Sequence, residues 1–362
     1  LASRPQADVT VIAPVGIPIW PFSLAPGYAA LRALPRKERW REVTVYRPVF
    51  RTIPKIGGRT NVGAMTRAIL PLVRRLHAQR PFDVIDASFF FPDGPVARRL
   101  SKALGIPYSV KARGADIHHW GTQPATRKLV RQAADDAAGL LAVSDAMRRS
   151  MARMGIDADK IRVHYTGVDL DTFELTDRQA AKAALDFNGP VVLSVGALIP
   201  RKGQDLLVRA LPHLPDVTLL LAGQGQYRRT LETLAQELGV ERRIGFLGSV
   251  PHHKLPRIFA AADVMALVSE SEGLANAWVE SLACGTPIVI SDVGGARELL
   301  DRAEAGRIVE RDPEAIAAAI RAILDNPPAQ AAVRESALRF TWQANGDALL
   351  AHLHSIAASD DS

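Results

Sequence analysis

The chain has 362 residues, of which 48% are hydrophobic and 23% charged, an ordinary globular composition with enough length for two domains. No apolar run approaches the roughly 18 residues that a bilayer-spanning helix needs, and nothing resembles a signal peptide. A single cysteine, Cys284, excludes an internal disulfide and favours a reducing cytoplasm. We expect Cys284 to pack as a small apolar residue in a helix, because no base is placed to activate its thiol.

Charge is divided unevenly between the two halves of the chain. Residues 1–175 hold 27 Lys and Arg against 15 Asp and Glu, a net charge of +12, whereas residues 176–362 have a net charge of −5. The asymmetry predicts an anionic partner for the first half only. No recognised binding motif supports nucleic acid as that partner. An anionic membrane surface fits the basic, apolar and aromatic residues mixed from Trp20 to Ile56, and a plain solvated surface is an equal alternative.

Short apolar strands alternate with helical patterns along the chain, which is typical of parallel sheets. In the first half we predict six strands, at Val9–Ala13, Val43–Tyr46, Val84–Ala87, Tyr108–Ala112, Gly139–Val143 and Ile161–Tyr165. In the second half we predict six more, at Val191–Val195, Val217–Ala222, Ile244–Leu247, Val264–Val268, Pro287–Ile290 and Arg307–Val309. The predicted fold class is α/β with two Rossmann-like domains.

The segment from Ile17 to Asn61 interrupts this alternation. It carries six prolines, at positions 18, 21, 26, 35, 48 and 54, together with many basic residues. Such a composition disfavours helices. The segment is predicted to be either a wall of a substrate site or a plain surface loop, and the sequence favours neither.

Two carboxylates follow one of the predicted strands. Glu272 stands in a small-residue turn after that strand, and Glu280 comes eight residues later in a predicted helix that Gly285-Thr286-Pro287 ends. At about 100° per residue, this spacing places both acids on one side of the helix. Free N–H groups at the helix start suit a diphosphate, and the carboxylates suit sugar and ribose hydroxyls. The alternative is a solvated helix face.

This arrangement resembles the E-x7-E signature of the retaining GT-B glycosyltransferases of family 4. Four further segments are similar to loops of that family, namely Gly196–Gly203, Leu221–Gly225, Phe246–Val250 and Ser291–Gly295. Ala142-Val143-Ser144 and Gly167-Val168-Asp169 match its landmarks at the end of the first domain. The resemblance runs from about residue 8 to the end of the chain.

The resemblance implies transfer of a sugar from a nucleotide-diphosphate sugar to a glycan or lipid-linked acceptor, in the synthesis of cell-surface polysaccharide or glycoconjugate. It implies three domains, at residues 1–170, 171–341 and 342–362, the last a helix that packs back on the first. Retention in this family is described as a front-face exchange in which the leaving phosphate deprotonates the acceptor. No enzymic nucleophile, metal or cofactor is then expected.

The resemblance also implies roles for individual residues. Glu272 would bind hydroxyls of the transferred sugar, while Arg201 and Lys202 would neutralise the diphosphate without a metal. Glu280 would bind the ribose. The remaining predicted donor contacts are backbone groups of Gly273, Leu274 and Ala275 to the distal phosphate, Asn276 to the sugar or as a helix cap, Val250 to the base, and Gly196 in the phosphate loop.

The chain departs from the family pattern at three places. The first predicted strand, within Asp8–Pro14, resembles the family's second strand, so its opening strand and glycine loop are expected to be absent. Ala197 stands where the family often has Arg, and Arg201 is expected to supply the missing charge. Arg113 stands where many relatives have His, and with Asp116 it is a candidate contact for the acceptor or the transferred sugar.

Other interpretations receive less support from the residues. Asp169-Leu170-Asp171 forms a D-x-D motif that we expect to shape a turn rather than bind a metal. His118 and His119 have no third ligand at metal spacing. A non-catalytic nucleotide-sugar-binding protein, or an inactive fragment of an enzyme, is the main alternative because of the shortened start. An NAD enzyme and a phosphorylase that uses pyridoxal phosphate are weaker alternatives.

Overall fold

The structure, a computed structural model, describes residues 1–2, 4–53 and 57–358. The described strands are β1 (Thr10–Ile12), β2 (Val15–Pro18), β3 (Lys37–Trp40), β4 (Val43–Tyr46), β5 (Val49–Thr52), β6 (Ile85–Ala87), β7 (Tyr108–Ala112), β8 (Gly139–Ala142), β9 (Ile161–Val163), β10 (Val191–Val195), β11 (Thr218–Ala222), β12 (Ile244–Gly248), β13 (Val264–Leu267), β14 (Ile288–Ser291) and β15 (Gly306–Val309).

Helices separate most of these strands. The described α-helices are α1 (Ala29–Ala33), α2 (Gly57–Gln79), α3 (Asp93–Leu104), α4 (Ala115–His118), α5 (Arg127–Asp136), α6 (Asp145–Arg153), α7 (Arg178–Ala183), α8 (Gln204–Ala210), α9 (Arg228–Glu237), α10 (Leu255–Ala261), α11 (Asn276–Ala283), α12 (Ala296–Leu299), α13 (Pro313–Asp325), α14 (Gln330–Glu335) and α15 (Trp342–Ala357).

The chain forms two compact units. Unit 1 consists of residues 1–143, 147–164 and 346–362, of which 3, 54–56 and 359–362 lie outside the described residues. Unit 2 consists of residues 144–146 and 165–345. Helix α15 begins in unit 2 and continues into unit 1, where His352 hydrogen-bonds to Ser109 on β7.

Unit 2 is built on one continuous sheet of six parallel strands, in the order β12-β11-β10-β13-β14-β15. Its central strands are apolar and almost entirely buried, as strands covered by helices on both faces must be. The chain runs outward from β10 to β12, returns to the centre at β13, and then runs outward to β15. The strand order therefore reverses between β10 and β13.

The described strands of unit 1 lie in three separate sheets. Strands β6-β7-β8-β9 form a parallel sheet, β1-β4-β3 form a mixed one, and β2 pairs with β5. Among the described residues, β1 pairs only with β4, and β6 pairs only with β7. A cavity of about 210 Å³ is lined by both β1 and β6, and by residues of α2 and α3. The two unpaired strand edges thus border one cavity.

All twelve predicted strands are confirmed, with ends that agree within two residues. The prediction missed three strands, β2, β3 and β5, all in or next to the proline-rich segment. Pro18 ends β2, Pro48 precedes β5, and β3 is a largely exposed strand of polar sequence. None of them shows the apolar run or alternation that marks a strand in sequence. Pro54 and Ile56 lie outside the described residues.

Candidate functional site

The reversal of strand order in unit 2 brings two loops together. Strands β10 and β13 are hydrogen-bonded neighbours with Val192 opposite Val264. Because both strands are parallel, the loop after β10 (196–203) and the loop after β13 (269–275) leave the same edge of the sheet. Open α/β sheets bind ligands at such a switch point, outside the carboxyl ends of the strands.

A charged pair joins these two loops. Lys202 Nζ lies 2.5 Å from Glu272 Oε1, and the two side chains are only 14% and 11% exposed. Arg201 Nη1 lies 3.9 Å from the same Glu272 oxygen and donates a hydrogen bond to the Ser271 carbonyl. The two cations and the carboxylate, which were predicted to bind one ligand, therefore lie close together.

Backbone contacts fix the position of the Glu272 loop. The Glu270 N–H donates to the Arg201 carbonyl at 2.8 Å, and the Gly295 N–H donates to the Gly273 carbonyl at 2.7 Å. Gly294 has φ +54°, and a Cβ there would lie 2.3 Å from the Gly273 oxygen. Only glycine fits such an approach of two backbones.

The loop after β10 depends on glycine in the same way. Gly203 has φ +70°, and a Cβ at that position would lie 2.4 Å from the Val268 carbonyl oxygen. Gly196, at the end of β10, bonds through its N–H to Ala222, and the Lys202 side-chain stem passes beside it. Gln204, which the sequence analysis missed, holds the loop because its Nε2 donates to the Ala197 carbonyl at 3.1 Å.

Glu272 lies in a turn before the helix, as predicted, but the prediction that it shares one helix side with Glu280 is wrong. Helix α11 begins at Asn276, so Glu272 lies four residues before it in a non-helical turn, and the rotation of 100° per residue does not apply to the interval between Glu272 and Glu280. Ala275 has extended angles (φ −72°, ψ 127°) and precedes the first helical residue. The contact with Lys202, rather than a shared helix face, positions the Glu272 carboxylate.

The start of α11 keeps its backbone donors available. No side chain caps this helix, so the predicted capping role of Asn276 is wrong; its Oδ1 accepts a hydrogen bond from the Thr166 hydroxyl at 2.8 Å. Within the described part of the chain, the N–H groups of Gly273, Leu274 and Ala275 have no hydrogen-bond acceptor. Unpaired N–H groups before a helix of eight residues favour an anion.

Glu280 lies on α11 and is 8% exposed. His252, which the sequence analysis did not identify, places its Nε2 2.9 Å from Glu280 Oε1 while its own side chain is 67% exposed. Val250 stands two residues earlier, after β12, and is half-buried. His252 therefore contacts the residue predicted to bind the ribose, and it lies two positions after the residue predicted to meet the base. In the sequence, the one signal for His252 was its position two residues after Val250.

In unit 1, the structure assigns different surroundings to the two predicted residues. Asp116 is 3% exposed, and its carboxylate accepts hydrogen bonds from the backbone N–H groups of Phe90, Arg113 and Gly114. It therefore shapes the loop after β7. Arg113 is exposed, donates through Nε to the Ser88 carbonyl, and stacks on Phe89.

Buried titratable groups surround this loop in unit 1. Burial lowers the pKa of Lys111 to about 8, and Lys111 Nζ lies 2.7 Å from His164 Nδ1. Burial raises the pKa of Asp93, at the start of α3, to about 6. Both shifts favour the neutral form, because desolvation penalises a charge.

Two further predictions concern single residues of unit 2. The carboxylate of Asp169 accepts hydrogen bonds from the Asp171 and Thr172 N–H groups, which confirms that it shapes a turn. Cys284 is fully buried, and burial raises its thiol pKa to about 12, so it packs as an inert residue. It lies just after α11, at the C-cap, rather than inside the helix.

No described helix has both the length and the apolar character to cross a bilayer.

Two family models match the chain. The model for Glycosyltransferase Family 4 matches residues 7–172, and the model for Glycosyl transferases group 1 matches residues 176–340. The second match contains both loops of the switch point, together with Glu280. Between them, the two matches leave few residues outside.

Curated relatives are also glycosyltransferases. The chain is 33% identical over 255 residues to a GDP-mannose-dependent alpha-(1-6)-phosphatidylinositol monomannoside mannosyltransferase of Mycolicibacterium smegmatis, a match that covers 66% of each chain. It is 37% identical over 251 residues to a D-inositol 3-phosphate glycosyltransferase of Mycolicibacterium vanbaalenii, over 63% of this chain and 56% of the relative. The matches thus span less than two thirds of these relatives.

Solved structures share the fold. A sucrose-phosphate synthase from Thermosynechococcus elongatus superposes with a TM-score of 0.80 at 24% identity, over 90% of this chain and 87% of the other. HepE of Anabaena, in complex with UDP and glucose, superposes with a TM-score of 0.73 at 24% identity, over 86% of each chain. These likenesses confirm an α/β fold of the GT-B type.

Proposed function

Because the chain belongs to the GT-B glycosyltransferases of family 4, we propose that it transfers a sugar from a nucleoside diphosphate to an acceptor hydroxyl, with retention of the anomeric configuration. The observation that carries the proposal is the Lys202–Glu272 contact at the switch point of unit 2, next to three N–H groups for which the described residues provide no acceptor.

The proposal assigns each group of the donor to a chemical partner. The distal phosphate binds the N–H groups of Gly273, Leu274 and Ala275, at the positive end of the α11 dipole. Lys202 and Arg201 bind phosphate oxygens, and Glu272 accepts hydrogen bonds from hydroxyls of the transferred sugar.

The nucleoside half of the donor lies further along α11 in this proposal. Glu280 accepts hydrogen bonds from the ribose hydroxyls, and the base meets the backbone of Val250. The nearly buried Glu280 carboxylate suits this task, because a charge in a dry environment binds hydroxyls more strongly than one in water.

The chemical step needs no nucleophile from the protein. The bond between C1 of the sugar and the diphosphate oxygen breaks, the acceptor oxygen bonds to C1 on the same face, and its proton passes to the departing phosphate. Catalysis then consists of positioning and of stabilising the charge that develops on the diphosphate. Lys202 and Arg201 are the cations for that purpose, so we propose that the reaction requires no metal or cofactor.

For the acceptor we propose a chemical class rather than a single compound. One relative is named for a phosphatidylinositol monomannoside and another for D-inositol 3-phosphate. For this chain we propose a glycan or lipid-linked acceptor in the synthesis of cell-surface polysaccharide or glycoconjugate, in the cytoplasm. Arg113 is the acceptor-side candidate in unit 1, because its guanidinium is exposed whereas the oxygens of Asp116 are occupied.

The experiment is a donor panel measured with two matched variants. The chain is incubated with UDP- and GDP-linked sugars, with and without EDTA, and release of nucleoside diphosphate is followed for Glu272→Gln and for Glu270→Gln. Glu270 is exposed and lies two residues away, so it controls for the loss of one charge. We expect Glu272→Gln to lower turnover by about 100-fold or more, and Glu270→Gln to leave it unchanged. Full turnover in Glu272→Gln would refute the assignment.

A second candidate is a non-catalytic protein that binds nucleotide-sugars. The observation that favours it is the interrupted sheet of unit 1, where β1 and β6 border a cavity. The same panel separates the two candidates. Binding of a nucleotide-sugar by calorimetry without transfer or hydrolysis for any donor would favour the binding protein.

A further inference from the structure

Exposed apolar side chains are concentrated in one part of unit 1. Seven of the fourteen large hydrophobic residues exposed in the described chain fall between positions 19 and 40. Trp20 is 76% exposed, Leu24 64% and Phe22 56%. A single exposed leucine needs no explanation, but a cluster of this kind marks an interaction surface.

The backbone directs these side chains outward. The segment leaves β2, which pairs with β5, and continues through two short 3₁₀ turns (Phe22–Leu24 and Pro26–Tyr28) into α1. The Ser23 N–H donates to the Ile19 carbonyl at 3.2 Å, and Ser23 is buried while its neighbours Phe22 and Leu24 are exposed. The outward side chains are thus held by an ordered turn.

Positive charge accompanies the apolar side chains. From Ile19 to Lys37 there is no Asp or Glu, whereas Arg32, Arg36 and Lys37 are all present and exposed. Arg32 donates a hydrogen bond to the Ser23 carbonyl, which brings its guanidinium against the turn that carries Phe22 and Leu24. Apolar tips and cations therefore occur together.

This combination favours a lipid surface. Tryptophan prefers the boundary between headgroups and hydrocarbon, and Lys or Arg side chains near an anionic bilayer each strengthen binding roughly fivefold. Protein–protein interfaces are depleted of charged residues at their apolar core and are also depleted of lysine. Here Arg32 lies against the apolar turn, and no acidic residue occurs from Ile19 to Lys37.

We propose that the segment from Ile19 to Lys37, termed the docking turn, binds anionic membranes. Trp20, Phe22 and Leu24 insert at the level of the headgroups, and Arg32, Arg36 and Lys37 contact lipid phosphates. The positive charge of residues 1–175 predicts an anionic partner, and the proposal assigns the binding of that partner to one segment. It does not depend on transfer activity, so it can stand or fall separately from the proposed function.

The test is co-sedimentation of the full chain with vesicles. One set contains phosphatidylcholine alone, and the other equal parts of phosphatidylcholine and phosphatidylglycerol. We expect the chain to bind the anionic vesicles at least about tenfold more tightly, and to lose that binding in high salt. Equal binding to both sets, or no binding to either, would overturn the proposal.

Three variants locate the surface. Trp20→Ser with Phe22→Ser is expected to weaken binding by about 100-fold, because the variant loses the two aromatic rings that insert into the bilayer. Arg36→Gln with Lys37→Gln is expected to weaken it by about 25-fold. Leu338→Ser in unit 2, which removes a side chain that is 48% exposed, is expected to have no effect. Each variant is first checked for an unchanged melting temperature.

Two outcomes of the variant series would contradict the docking turn. If Trp20→Ser with Phe22→Ser binds anionic vesicles as the parent does, the surface lies elsewhere. If the parent forms dimers that this variant loses, while neither binds vesicles, the turn is a contact between copies of the chain. Sedimentation velocity of both proteins distinguishes these cases.

Discussion

The two units differ in the surroundings of their buried titratable side chains. In unit 2, the nearly buried ions Lys202 and Glu272 contact each other at the switch point of a continuous sheet. In unit 1, burial shifts Lys111 and His352 toward their neutral forms, with pKa values of about 8 and about 4, around a sheet that is divided. The switch point of unit 2 therefore holds a charged pair where a ligand can contact it, whereas Lys111 and His352 make the stability of unit 1 depend on pH.

The largest expected effect compares two tryptophans. Trp278 on α11 is fully buried, so Trp278→Ala should lower the free energy of unfolding by about 3–5 kcal/mol. Trp20 is mostly exposed, so Trp20→Ala should change it by less than about 0.5 kcal/mol. Urea unfolding of both variants measures the difference. Similar losses for the two would mean that the exposed turn of unit 1 is part of its core.

The pH dependence of unit 1 should follow His352. Burial, with Arg162 and His164 nearby, lowers its pKa to about 4, below an unfolded value near 6.5. The unfolded chain therefore binds more protons between these values, and the contribution of about 3 kcal/mol present above pH 6.5 is lost as pH falls toward 4.

Hydrogen exchange of the β7 and β8 amides against pH measures this effect. His352→Gln should flatten the loss of protection between pH 6.5 and 4. Asp93 acts in the opposite direction, because its raised pKa of about 6 makes stability fall as pH rises from 3.8 to 6. Asp93→Asn should therefore steepen the dependence caused by His352. An unchanged profile in His352→Gln would show that the histidine is not buried in a neutral state.

Ligand affinity should depend on Lys202 in unit 2. Removing a cation that binds a phosphate oxygen costs roughly 1.5–3 kcal/mol, so Lys202→Ala should weaken binding of a nucleoside diphosphate by about 10- to 100-fold. Lys254→Ala, at an exposed lysine after β12, is the matched control. Calorimetry with UDP and GDP measures both. Equal affinities for the two variants would remove Lys202 from the site.

The smallest expected effect concerns His252. Its Nε2 contacts Glu280 Oε1 from a largely exposed ring, so it orients the carboxylate without enclosing it. His252→Phe should raise the KM for the donor by a few-fold and leave kcat nearly unchanged. His253→Phe is the neighbouring control. A large fall in kcat would instead mean that His252 takes part in the chemical step.

The sequence predicted most of unit 2 because its strands are buried on both faces and its loops follow in regular order. Lys202 and Glu272 follow different predicted strands, and the parallel pairing of β10 with β13 brings them together. The helical repeat was applied from Glu272, four residues before α11 begins, because a turn of small residues carries no clear boundary signal.

In unit 1, less could be predicted. Strands β2, β3 and β5 carry proline, glycine or polar residues, so their sequences lack the apolar pattern of a strand. Strand β2 also depends on pairing with β5, which is distant in sequence. The contact between His352 and Ser109 joins residues 243 positions apart, and no local sequence pattern predicts it. His252 was missed for the same reason, since its partner Glu280 lies on another element.

The central claim is that the turn before α11 holds a diphosphate. Its most direct test is hydrogen exchange of the peptide 269–283 with and without saturating UDP or GDP, with saturation confirmed by calorimetry. The amides of Gly273, Leu274 and Ala275 lack an acceptor within the described chain and should become strongly protected when the nucleotide binds. Bound nucleotide with unchanged exchange at these three amides would contradict the account.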